Sequence, residues 1–145
     1  MTITRVIAAA AMLAGLAVGG AAPAWADTVF SGHYTVTETN PAGDTVTRSW
    51  DVSPCGAGCV TIHVTGGGEN DTSTMHLVNG QWQSDGTDTA MVCADGTRIP
   101  AASDSHTAID PTTLRGTVAR TYKKAGCGTN AVGQTFTDTL VLTTA

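Results

Sequence analysis

Four charged residues fall where strands should be apolar. Tyr34, Val36 and Glu38 alternate along one stretch, and Val46, Arg48 and Trp50 along the next. Near the C-terminus Val118, Arg120 and Tyr122 alternate, as do Phe136, Asp138 and Leu140. Every second side chain of a strand points to the same face, so Glu38, Arg48, Arg120 and Asp138 share the face of their apolar neighbours. A charge on an inward face must be paired or reach water at an open end, because an unpaired buried ion is costly. Placing Tyr34 opposite Trp50 sets Val36 opposite Arg48 and Glu38 opposite Val46, diagonal to Arg48. Placing Tyr122 opposite Phe136 sets Val118 opposite Leu140 and Arg120 opposite Asp138. Ion pairs Arg120–Asp138 and Glu38–Arg48 are therefore expected, and an inward Arg would be the place for an anionic group of a ligand. The plainer alternative is that strand ends splay and these side chains reach water.

Other reactive residue types point to structure rather than catalysis. The cysteines are Cys55, Cys59, Cys93 and Cys127, an even count that reads as two disulfides in an exported chain. Cys55 and Cys59 flank a glycine-containing turn short enough to fold back, which leaves Cys93 to pair with Cys127. A C-x3-C spacing with two lone cysteines is not a zinc ribbon or finger pattern. His33, His63 and His76 fall on outer faces and His106 near a loop; if their strands pair, His63 and His76 would be neighbours, but separate solvated histidines are the simpler reading. No metal and no cofactor are expected. The chain has no G-x-S-x-G and no H-E-x-x-H, and bridged cysteines offer no thiol nucleophile. Gly66-Gly67-Gly68 is followed by neither Lys-Ser nor Lys-Thr, and no helix starts there, so it is a loose, flexible connection and not a phosphate loop. No catalytic residue emerges.

Residues 1–26 read as a signal peptide. Arg5 provides the positive start, Val6 to Val18 the apolar run, and Ala24-Trp25-Ala26 the small residues before cleavage at Asp27. Residues 27–145 then form one disulfide-stapled β domain, of a size that suits a single core. No second apolar stretch is long enough to span a bilayer. The net charge is −5, and the 7 Lys and Arg residues are scattered, with Lys123-Lys124 the one adjacent pair. Nucleic acid and anionic membrane are therefore disfavoured as partners. The expectation is a monomer in the envelope or outside the cell, with an unknown partner there.

Two-residue alternation recurs along the chain, and no window carries a sustained helical pattern. Strands are expected at about Val29–Glu38, Thr45–Val52, Val60–Thr65, Thr72–Val78, from Gln81 to Gln83, Thr87–Ala94, Thr97–Ile99, Ser105–Ile109, Leu114–Tyr122 and Gln134–Thr143. Pro54 should stop the second ladder. Asn79-Gly80 is the strongest hairpin signal, since both residues tolerate positive φ. Inward aromatic residues should be Tyr34, Trp50, Trp82, Tyr122 and Phe136, and Met75 and Leu77 should both face in. The fold class is all-β: about eight antiparallel strands in a meander, closing as a small barrel that leaves no exposed edge. A two-sheet sandwich is the alternative.

The stretch from Trp50 to Cys59, W-x-V-x-P-C-G-x-G-C, is followed by Asn79-Gly80-Gln81-Trp82, by Cys93-x-Asp95-Gly96, by Leu114-x-Gly116-Thr117-Val118 and by Cys127-Gly128. This pattern resembles a set of small secreted proteins of mycobacteria and related actinobacteria. The resemblance implies secretion and an all-β disulfide fold, and it brings no activity and no catalytic residue. Three functions compete, of which the first is the expected one and the others are its alternatives. One is a non-enzymatic module binding a partner through loops or outer face. Another is a calycin-like carrier of a small apolar ligand, which needs an enclosed cavity of about 300 Å³ or more. Short strands and few aromatics argue for a filled or narrow interior instead. The third is a small hydrolase, which needs titratable groups converging in a cleft.

Overall fold

The computed structural model describes residues 30–93, 95–128 and 131–145. The expected signal peptide lies outside these residues. Eight antiparallel strands follow one another around a closed barrel, each paired with its neighbours in sequence and β8 with β1. They are β1 (Gly32–Thr39), β2 (Thr45–Gly56), β3 (Cys59–Gly66), β4 (Glu69–Val78), β5 (Gln81–Val92), β6 (Arg98–Asp110), β7 (Arg115–Tyr122) and β8 (Thr135–Thr144). No helix of the described residues is long and apolar enough to cross a membrane.

The hairpin turns follow their sequence chemistry. At Asn79-Gly80 both residues take positive φ, 50° and 80°, as a two-residue hairpin requires. At Asn40–Asp44 the Asn40 side chain accepts from the Asp44 N–H while the two backbones close the turn. Pro54 does not stop β2, which runs on to Gly56 with an irregularity between them. The β1 register ends at Gly32 opposite Val52, so Pro54 has only β3 beside it and forfeits little by lacking an N–H. Pro100 likewise lies inside β6. The β5–β6 register skips from Ile99–Met91 to Ser103–Thr89, so the proline sits in a bulge, next to Ala101 at φ 49°. That bulge joins two short expected strands into β6, and β5 merges the two expected around it.

The core fills one half of the barrel. Phe30, Tyr34, Val36, Trp50, Val52, Val60, Ile62, Met75, Trp82, Ile109, Val118, Leu140 and Leu142 are all buried in one cluster. Phe30 stacks tilted between Tyr34 and Trp82, with ring centroids at 5.2 and 5.8 Å. Leu77 departs from expectation. It is 39% exposed, because it stands past the core, where the strand approaches its turn. Tyr122 and Phe136 also leave the core. They are half-buried at the other end of the barrel and meet edge to face at 5.6 Å.

Cys55–Cys59 and Cys93–Cys127 are disulfides. The first staples the β2–β3 hairpin. The second ties the β5–β6 connection to the segment between β7 and β8. With a separation of 34 residues it contributes roughly 3–4 kcal/mol on a loop-entropy account.

Candidate ligand-binding site

The inward faces change character along the barrel axis. β1 reads Tyr34, Val36, Glu38 toward the end where the β1–β2 and β3–β4 turns lie; β2 reads Val52, Trp50, Arg48 in the same direction. β8 reads Leu142, Leu140, Asp138, Phe136 and β7 reads Val118, Arg120, Tyr122. Apolar packing therefore gives way to charge at the same level on four strands.

Five charged side chains meet there. Arg48 donates from Nη1 to Glu38 and from Nη2 to Glu69, the latter at 3.1 Å. Its Nε lies 3.0 Å from the other Glu69 oxygen, off the N–H direction. Arg120 Nη1 donates to Glu38 at 2.5 Å and to Asp138. Glu38 thus takes both guanidiniums, and Asp138 shares one nitrogen of Arg120. The side chains of Glu38, Arg48 and Asp138 keep only about a tenth of their surface exposed. The expected pairs both occur, but the β7–β8 register differs from the expected one. Arg120 lies opposite Phe136, Val118 opposite Asp138 and Gly116 opposite Leu140. Tyr122 donates its N–H to the Gln134 carbonyl and accepts from Gly133, so the connection closes two residues earlier. A two-residue slip keeps every side chain on its face, and Arg120 reaches Asp138 along the diagonal.

Glu69 is the charged residue that sequence reasoning missed. It opens β4, which was expected to begin at Thr72, and it lies on the parity of inward Met75. The glycine turn delivers it. Gly66, Gly67 and Gly68 all take positive φ, and a Cβ on Gly67 would stand 2.8 Å from Val46 and 3.4 Å from Arg48 Nε. The connection is a packed turn against the ion pairs, not a loose one.

Above the charges lies a cavity of about 700 Å³, open to solvent at this mouth. Glu38, Arg48, Glu69, Arg120 and Asp138 form its floor; Val46, Met91, Val92, Tyr122 and Phe136 are among its apolar walls, and Cys93 and Cys127 border it. β4 and β5 pair only from His76–Gln83 to Val78–Gln81, leaving the rest of that seam without ladder bonds. With this cavity the interior is not filled, contrary to expectation. It is neither enclosed nor purely apolar.

The burial and pairing set the two central carboxyls apart. Burial pushes the Asp138 pKa up, a hydrogen bond with Glu38 adds to this, and Arg120 only partly opposes it, so the value rises to about 6. Burial also works to raise Glu38, but the charge and hydrogen bond of Arg120, with the charge of Arg48, outweigh it and hold Glu38 low. Asp104, bonded by Lys123, and Asp110, bonded by the Thr113 and Thr112 amides, are also lowered. Asp138 therefore contributes stability that is full below the ordinary Asp value and is lost as pH rises through about 6. The lowered carboxyls contribute stability that is lost as pH falls below their ordinary values. Thermal melting should peak near pH 5, falling on both sides, and Asp138→Asn should abolish the fall between pH 5 and 8. A wild-type melting temperature that is level across that interval would contradict the assignment.

The histidines stay outside. His33, His63 and His76 are exposed on the outer face, and His106, mid-strand rather than near a loop, bonds Asp85 at 2.7 Å. His33 bonds Asp51, and His63 lies 3.1 Å from Thr72 Oγ1. His63 and His76 are not neighbours, since Thr72 faces His63 and Cys59 faces His76. Among the described residues no group of three or more His, Cys, Asp or Glu is arranged to hold a metal.

The fold and mouth define a small disulfide-stapled meander barrel with a charged, solvent-open cavity. Comparison of the chain with protein-family models, curated proteins and solved structures gives no match.

Proposed function

We propose that this is a secreted or envelope-located, non-enzymatic binding protein whose site is the cavity at the barrel mouth. The observation that carries the reading is the 700 Å³ cavity with five charged side chains as its floor. Its volume is in the range of small-molecule sites, and it combines apolar walls with a few placed polar groups. Two disulfides are compatible with an extracellular location, and the leader-like N-terminus and the resemblance to secreted actinobacterial proteins support it. Relative to a carrier of purely apolar ligands, the charged floor favours a ligand with a polar head. Relative to a hydrolase, the engagement of Glu38 and Asp138 by one Arg120 nitrogen favours recognition: both carboxyls are held by a guanidinium rather than left free for acid–base work.

A fragment screen read by amide chemical shifts tests this. Fragments at millimolar concentration should perturb residues of the mouth, such as Val46, Val92 and Phe136, and Ala90→Trp should remove those shifts by filling the cavity. Perturbations confined to the outer face of β1–β3, or to the end with the Asn79-Gly80 turn, would overturn the reading.

A further inference from the structure

We infer that the mouth cavity selects a small organic cation, its ammonium or amidinium group set against Asp138 and Glu38 and its apolar body against Phe136 and Val92. The inference rests on the mouth being the binding site and adds the chemical class of the ligand. The charges facing the cavity are Glu38 from β1, Arg48 from β2, Glu69 from β4, Arg120 from β7, Asp138 from β8 and Asp44 from the β1–β2 turn. Two guanidiniums stand among four carboxyls. Arg48 is spent on Glu38 and Glu69, and Arg120 bonds Glu38 and Asp138 through one nitrogen. An anionic ligand would have to compete with these carboxylates for both arginines while lying beside them. The expectation that an inward Arg receives an anion is therefore not favoured by this geometry.

A cation meets the opposite situation. On the floor itself three carboxyls face two guanidiniums, so full ionisation leaves one negative charge in a partly desolvated site. Asp138 carries that excess, and the free protein relieves it by keeping a proton there, with a pKa near 6. Below about pH 6 an ammonium group replaces that proton, which Asp138 releases to solvent while the ligand keeps its own; above it the ammonium meets the ionised carboxylate directly. Binding is then linked to pH. The Asp138 proton competes with the ligand, and at pH 5 a group with a pKa near 6 is about ten parts protonated to one ionised. The apolar walls, Phe136 and Val92 among them, give a hydrophobic body somewhere to lie.

Three probes of one shape separate charge from fit: 2-phenylethylamine, 2-phenylethanol and phenylacetate, titrated into the mature, oxidised protein with amide shifts as readout. At pH 7.5 the amine should bind at least ten-fold more tightly than the alcohol, and the acid more weakly than either. Moving to pH 5.0 should weaken the amine about ten-fold and leave the alcohol unchanged. Asp138→Asn at pH 7.5 should reduce the amine to the affinity of the alcohol; the wild-type pH comparison needs no variant and stands if that one fails to fold. Equal binding of all three at the mouth, or preference for phenylacetate, overturns the cation assignment and leaves the mouth as the binding site. Failure of all three to shift any mouth residue overturns both.

Discussion

Arg120→Met is expected to destabilise the protein by about 3–5 kcal/mol at pH 8, the usual cost of removing one partner from a buried charge pair. Arg120 serves two carboxylates at once, and its side chain is only 20% exposed. Without it Glu38 retains its bond to Arg48, but Asp138 loses its hydrogen-bonded cation and keeps only the unbonded charge of Arg48. The penalty should shrink at pH 5, where Asp138 takes up a proton and no longer needs a partner. Asp138→Leu in the same background should recover part of the loss, so that the double variant is less destabilised than the two single effects summed. Urea unfolding of the four proteins at pH 8 and pH 5 measures this. Strict additivity with no pH dependence would mean that the two groups do not interact.

Trp50→Ala should cost about 3–5 kcal/mol, comparable in size but different in cause. Trp50 is 7% exposed and packs in the cluster that closes the apolar half of the barrel. Its indole N–H is buried and finds no acceptor among the described residues. The loss is therefore apolar contact and the cavity left behind, with no hydrogen bond in it. Trp50→Phe should accordingly cost clearly less, because it retains a ring and removes an unpartnered donor. Equilibrium unfolding of both variants decides this; an alanine variant that melts within a degree or two of wild type would place Trp50 outside the core.

The first hairpin could be read to the residue. Alternation on both sides of Asn40–Gly43 left one register that buries Tyr34 against Trp50, and that register set Glu38 beside Arg48. The second charged pair was legible only as to face. Its partners came from the right strands, but the loop-closing bonds at Tyr122 shift the register by two, and no local signal marks where a long connection ends. Pro54 was read as a strand breaker because proline removes an N–H, and the strand expected at Thr97–Ile99 ended just before Pro100. What spares them is tertiary: one lies beyond the end of β1, the other in a bulge opposite β5. Glu69 was hidden for a related reason. Its inward parity follows from Met75, but polar residues lie between them and the glycines before it suggested a loose connection. The cavity was not legible at all, since its lining is drawn from seven of the eight strands and from loops far apart in the chain.

The most direct test of the account is the titration of the two carboxyl carbons, Glu38 and Asp138, followed by carbon-detected NMR on the intact oxidised protein. Both lie at the floor of a partly desolvated cavity, with Glu38 holding two guanidiniums and Asp138 a share of one. Asp138 should then titrate near 6 and Glu38 below its ordinary value. If instead both titrate at the ordinary values of free carboxyls, the charges are not gathered in the mouth and the proposed site does not exist.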